Sequence, residues 1–173
     1  MKHRAPIVRR VDIATFDKAD PTSAAEVVRA CARIESWVRA VVAGRPYGTV
    51  EALLARADEL AARWEPAEVE AALTDHPRIG QRPEGTGTSA RMSLREQAGV
   101  ERSVDTAVRL AAGNRRYEER FGRIFLVRAA GRTSEQILEQ LEQRLQHDPV
   151  TELAFTVGQL REIAALRLKG SFA

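Results

Sequence analysis

Apolar residues return every three or four positions through one segment of this chain after another, a period that α-helix satisfies and β-strand does not. They are mostly Ala, Leu and Val set among Arg and Glu, and aromatic residues make up only 5% of the chain, a mixture that favours helix over strand. The expected fold class is therefore all-α. With 173 residues and 44% apolar content, one compact single-domain helical bundle with a single core is the default. Residues 1–20 read as an N-terminal arm, partly docked through Val11, Ile13 and Phe16, and residues 21–173 as the domain.

Ser23 and Glu26 have capping-box spacing, and the helical pattern they open runs through Val27, Val28, Cys31, Ile34, Trp37, Val38 and Val41, with one break at 33–36. Gly44-Arg45-Pro46-Tyr47-Gly48 stops it. A second helix is predicted over 50–63, burying Leu53, Leu54, Ala57, Leu60 and Ala61. Pro66 then opens a short one carrying Val69, Ala72 and Leu73 and ending at Asp75-His76-Pro77. The stretch 80–88 has no apolar period and reads as a surface loop. From Ser93 a long helix continues through Val100, Val104, Ala107, Val108, Ala111 and Tyr117 to Phe121-Gly122, bent near Gly113. Ile124-Phe125-Leu126-Val127 reads as a buried turn or short helix, since a lone strand has no partner. Thr133 with Gln136 marks another helix start, serving Ile137, Leu138, Leu141 and Leu145, and Pro149 opens a last helix reaching about Lys169.

A formal charge of +3 with a pI near 9.5 is a mild bias, and acidic and basic residues alternate along nearly every helix. A helical nucleic-acid-binding or regulatory module, the rival from another class, needs a gathered basic face instead. Cys31, the only cysteine, sits in an apolar setting unlike a nucleophile's pocket. No apolar run suits a signal peptide or a bilayer span, and Gly170-Ser171-Phe172-Ala173 holds no peroxisomal tripeptide, so a cytoplasmic protein without a membrane partner is expected.

Three places can carry chemistry. His76 precedes a proline, which pushes its backbone out of the helical region, and Gly80 lets the chain turn soon after; an imidazole on such a corner suits a general acid or base, and equally His-Pro can simply stop a helix. Ser93, Glu96 and Gln97 stand at i, i+3 and i+4, one face of a helix start that can serve a substrate or merely cap the backbone. On the last helix Leu153, Val157, Leu160 and Ala164 step by four, three and four, and the next member of that stripe is Arg167. A guanidinium on a buried stripe needs an anion, unless its head reaches past the helix end. No Cys or His pair has metal-ligand spacing and no phosphate-loop, dinucleotide or nucleophile-elbow pattern occurs, so if the chain is an enzyme it is expected to work with no cofactor and no metal.

Taken together, His76-Pro77-Arg78-Ile79-Gly80, Ser93-x-x-Glu96-Gln97, Phe121-Gly122-x-x-Phe125-Leu126-Val127-x-Ala129-x-Gly131-Arg132 and Arg167-Leu168 resemble the 2-oxo-4-hydroxy-4-carboxy-5-ureidoimidazoline (OHCU) decarboxylases in order and spacing, with weaker similarity at Trp37-Val38 and Gly44-Arg45-Pro46-Tyr47. The resemblance implies an all-helical fold of that type, usually a homodimer. It also implies cofactor-free decarboxylation of a small-molecule substrate, OHCU, to (S)-allantoin in urate breakdown. Carried over, it makes His76 the catalytic acid/base, with Glu96 and Arg167 as essential pocket residues. Pro77, Ser93, Gln97 and the Phe125, Leu126, Val127 and Ala129 segment match positions that touch substrate. A relative that has kept the pocket and changed its substrate is the second alternative.

Overall fold

A computed structural model of the protein describes residues 10–74, 76, 78–79, 88, 91–92 and 104–172. Its named helices are α1 (Ile13–Lys18), α2 (Pro21–Arg29), α3 (Glu35–Ala43), α4 (Val50–Ala61), α5 (Pro66–Leu73), α6 (Val104–Phe121), α7 (Ser134–Arg144) and α8 (Pro149–Ser171). Among the described residues there is no strand, only one isolated parallel bridge between Val11 and Phe172. The all-α expectation holds.

Helix starts follow short polar caps. Asp12, Asp20, Thr49, Thr133 and Asp148 each accept from backbone N–H groups of the first turn, which have no partner inside the helix. Thr133 and Gln136 complete a reciprocal capping box as their spacing predicts. Ser23 does not: α2 begins three residues earlier, at Asp20-Pro21, because an aspartate followed by proline at the first helical position is the stronger start. The break between α2 and α3 comes just ahead of the expected place, and Glu35 already begins α3.

Two apolar clusters make the core. In the first, α2 packs on α3 and α3 on α4, while α4 and α5 both lie against α8; Phe16, Val28, Val38, Val41, Leu53, Val69, Leu160 and Leu168 are fully enclosed there. Trp37 donates to Ala57 O (2.9 Å) and meets Trp64 edge-to-face at 5.6 Å. The upstream residues of the resemblance are structural ties. Arg45 Nη1 donates to the carbonyls of Phe16 and Ala19 at 2.8 Å, Tyr47 Oη donates to Val41 O, and the Asp17 carboxylate takes the N–H groups of Tyr47 and Gly48.

The second cluster joins α6 and α7 with Ile79, Phe125, Val127 and Ala129. Of the pattern expected for α6, the last members, Tyr117 and Phe121, are buried, whereas the valines and alanines before them are not. Val104 and Val108 are 84% and 62% exposed, and Ala107 and Ala111 are exposed as well, while the buried face is Thr106, Leu110, Gly113, Asn114, Tyr117 and Phe121. That face mixes polar and small residues, so hydropathy alone prefers the other. Gly113 lies inside an unbroken helix and marks a close approach: a Cβ there would lie 2.5 Å from Leu141 Cδ2 and 3.2 Å from its Cγ. Residues 124–127, expected as a turn or short helix, form with 128–129 a segment that is neither helix nor strand. They alternate, Leu126 toward the first cluster and Phe125, Val127 and Ala129 toward the second, so the segment is buried on both sides. Gly122 and Gly131 frame it at φ 68° and 79°, backbone that other residues rarely adopt. The loop expected over 80–88 lies outside the described residues apart from Thr88, which is helical, and so does the predicted start of the long helix at 93–103.

Alanine at Gly113 gains helix propensity of about 1 kcal/mol but must displace a wholly enclosed Leu141 side chain, an overpacking cost of about 1–3 kcal/mol. Gly113→Ala is therefore expected to lower the urea unfolding free energy by roughly 1 kcal/mol, and a rise would show that α6 and α7 have room to separate.

Candidate active site

α5 starts at Pro66 and ends at Leu73, and the turn that follows brings the backbone N–H of His76 to Leu73 O at 3.0 Å. The imidazole is half-buried, with Nδ1 3.1 Å from Ala72 O. A carbonyl oxygen can only accept, so Nδ1 carries the proton and, in the neutral ring, the lone pair sits on Nε2. Nε2 is shielded from water. Two residues on, the chain is tied to α6: Arg78 pairs with Glu118 through two bonds of 2.5 and 2.8 Å, and Ile79 O accepts from Asn114 Nδ2 at 3.1 Å. His76 thus stands between one end anchored on α5 and another anchored on α6.

Arg167 lies where the stripe of the last helix predicts, on the buried face of α8 beside Ile163, Ala164 and Leu168, and it is only 4% exposed. Snorkelling past the helix end is therefore not its resting arrangement. Because α5 packs on α8, the helix that delivers His76 is a neighbour of the helix that carries Arg167. Phe125, Val127 and Ala129 share one apolar cluster with Ile79, three residues after His76, and Leu126 is buried on the segment's other side. Pro77, Ser93, Glu96 and Gln97 lie outside the described residues.

Next to this segment lies a buried polar network of which the sequence gives little sign. Glu152, fully enclosed on the first turns of α8, accepts at Oε1 from Arg144 Nη2 (2.6 Å) and Nε (2.9 Å) and from the Tyr117 hydroxyl, and at Oε2 from His147 Nδ1 at 2.8 Å. Thr156 Oγ1 adds a contact at 3.2 Å to Arg144 Nη2, and Arg144 Nη1 donates outward to Leu126 O at 2.7 Å. The guanidinium also lies over the ring of Phe125, 4.7 Å from its centroid. Burial pushes the Glu152 carboxyl up, but Arg144, Tyr117 and His147 outweigh it and hold the group below the usual carboxylate range. Burial, reinforced by the bond to Glu152, pushes the Tyr117 phenol up to about 12. Arg144 and His147 look like ordinary helix-end residues in sequence. The available signal was Glu152 and Thr156 one turn apart, on the same side of α8 as Leu160.

The comparisons with known proteins agree in kind. The family model described as OHCU decarboxylase matches residues 17–169. A uric acid degradation bifunctional protein of Arabidopsis thaliana is 34% identical over 106 residues, which are 59% of this chain and 33% of that protein. The 2-oxo-4-hydroxy-4-carboxy-5-ureidoimidazoline decarboxylase of Haloferax volcanii is 32% identical over 134 residues, 75% of this chain and 76% of the relative. The chain therefore spans a third of the plant protein and three quarters of the archaeal one. Among solved structures, an OHCU decarboxylase crystallised in the presence of (S)-allantoin matches with a TM-score of 0.70 at 23% identity, covering 83% of this chain and 94% of that one. An (S)-allantoin synthase matches at 0.69 and 17%, over 94% of this chain and 54% of that one. These two likenesses are of fold.

The network carries a pH signature. A phenol whose folded pKa is raised stabilises the fold fully below its unfolded value near 10, and that stability is lost as pH rises through about 12. Denaturant unfolding is expected to show up to about 3 kcal/mol lost between pH 10 and 12, an amount that Tyr117→Phe removes from the slope. An unchanged slope in Tyr117→Phe would place the alkaline sensitivity elsewhere. The depressed Glu152 works in the opposite sense, its contribution being lost as pH falls below its unfolded value of 4.5 through its lower folded one.

Proposed function

The chain belongs to the OHCU decarboxylase family, and we propose that it catalyses the cofactor-free decarboxylation of OHCU to (S)-allantoin and carbon dioxide, a step of urate degradation. The observation that carries this reading is that the family match, residues 17–169, takes in both His76, with its Nε2 lone pair, and Arg167, a cation on a buried helix face.

The substrate supplies its own electron sink. Its carboxylate leaves from C4, which also bears a hydroxyl and adjoins the ring C5=N bond. As the C4–carboxylate bond breaks, its electron pair forms a C4=C5 double bond, and the imine pair moves to nitrogen, which takes a proton. Protonation at C5 and loss of the C4 hydroxyl proton then give the carbonyl of allantoin. Nothing in this sequence calls for pyridoxal, thiamine or a metal.

His76 is assigned the proton exchange with the C4 hydroxyl. The Ala72 carbonyl on Nδ1 supports that role, because it leaves Nε2 as the basic atom. Glu96 is assigned to hold the ring in place. Arg167 is assigned to an oxygen of the ring or ureido group, where it stabilises the charge that builds as carbon dioxide departs. Pro77, Ser93, Gln97 and the 125–129 segment would line the pocket, and delivery of the new proton to one face of C5 would set the (S) configuration.

The surface gives the nucleic-acid alternative little support. Arg29, Arg78, Arg109, Arg123, Arg128 and Arg161 are each paired with an acidic residue. No helix among the described residues is long and apolar enough to cross a membrane. A homodimer is proposed from the family resemblance.

Urate, urate oxidase and hydroxyisourate hydrolase generate OHCU in the cuvette, and circular dichroism follows its fate. Adding the protein is expected to accelerate the appearance of optically active allantoin, whereas slow formation of racemate, as without protein, would reject the assignment. His76→Asn is expected to lose roughly 10²–10⁴-fold in kcat/KM with helical content unchanged. Near wild-type turnover in that variant would remove His76 from the chemistry.

A further inference from the structure

The segment 124–129 has no ladder and no helix to satisfy its backbone, yet it is buried on both sides. Buried N–H and C=O groups must find partners, and apart from Ala129 O, which accepts from Arg132 N at 3.1 Å, the described ones here are side chains. Leu126 O accepts from Arg144 Nη1 at 2.7 Å, and Arg128 N donates to Gln159 Oε1 at 2.9 Å. Arg128 O accepts from Arg132 Nη1 at 2.5 Å. Because neighbouring side chains enter opposite apolar clusters, sliding the segment by one residue would exchange the two faces. Its register therefore needs fixed points, and the bonds from Arg144 and Gln159 supply them from two different helices.

We propose that Arg144 and Gln159 are positioning residues for catalysis, holding the Phe125–Ala129 wall at the distance from which it meets substrate. The proposal rests on the reading above that this wall touches substrate. Arg144 is itself immobilised by Glu152, Tyr117 and Thr156, and its guanidinium covers Phe125, so the segment is held through both backbone and ring. Gln159 lies on α8 about two turns before Arg167, so one helix carries both the cation assigned to the substrate and the side chain that grips this segment. This gives the buried network a purpose beyond stability. A buried ion pair is often no more stabilising than well-packed apolar residues, whereas here its free guanidinium edge reaches the segment.

The test separates positioning from stability by steady-state kinetics in the coupled assay. Gln159→Leu removes the acceptor for Arg128 N and is expected to raise KM roughly 10-fold while kcat stays within about 3-fold, the pattern of lost substrate binding. Gln159→Glu keeps an acceptor oxygen at the same reach and is expected to restore KM to within about 2-fold of wild type. Arg144→Lys can stay with Glu152, but its single ammonium cannot also reach Leu126 O, so it too is expected to raise KM. Should that variant fail to fold, the Gln159 pair alone decides. Unaltered KM in Gln159→Leu overturns the proposal, and so does an equal KM rise in Gln159→Leu and Gln159→Glu, since the acceptor would then be irrelevant. A wild-type protein with no effect on allantoin formation removes the enzymatic reading and this proposal together; an active wild type with insensitive variants removes only this one.

Discussion

The contact on which the architecture turns is the buried pair of Arg144 and Glu152. Between the α6–α7 layer and the helices packed on α8 runs a stretch of chain that belongs to neither helix nor sheet, and one side chain spans that junction. Arg144 spreads its donors over a planar fork and so meets a carboxylate, a hydroxyl and a backbone carbonyl at once, a reach that lysine's single ammonium nitrogen lacks. Taking a guanidinium out of water is costly unless its partners are all present. They come from α6, α8 and the irregular segment, so the cost ties together elements that apolar packing would leave free to shift.

Much of the fold was readable because helices announce themselves by period. The α4, α5 and α7 segments, the stop at Gly44–Gly48 and the capping box at Thr133 followed from spacing and punctuation. The errors have physical causes. At α2, Ser23 offered a plausible cap, but Asp20 with Pro21 behind it took the role. On α6 the more hydrophobic stripe faces outward, because the inward one uses Gly113 for close approach, Asn114 to hold the Ile79 carbonyl and Tyr117 to reach Glu152. Hydropathy measures transfer from water and takes no account of polar groups whose partners are supplied by other helices. The run 124–127 departs from its expected turn or short helix for a related reason: the order of this segment comes from side chains distant in sequence, which no local pattern encodes.

For the site, the legible part was the part that broke a pattern. Arg167 stood out as a charge on an apolar stripe, and it is buried. His76 stood out through its proline, and its ring is oriented by the carbonyl one turn back, a detail of geometry that sequence does not carry. Glu152 was the opposite case. A glutamate in the first turn of a helix is so ordinary a partner for the helix dipole that nothing distinguishes a buried one.

The tie between the two ends of the described chain reaches the same site. Val11 N donates to Ser171 O at 2.7 Å, Phe16 meets Phe172 edge-to-face at 5.2 Å, and Ser171 Oγ donates to Arg167 O one turn back. Helix termini fray unless something closes them, and the closing turn of α8 is closed by α1 and the residue just before its cap. The short helix far from His76 in sequence is thereby a brace for the guanidinium's own turn, so the position of the arginine depends on Phe16 and Val11 as well as on its own helix.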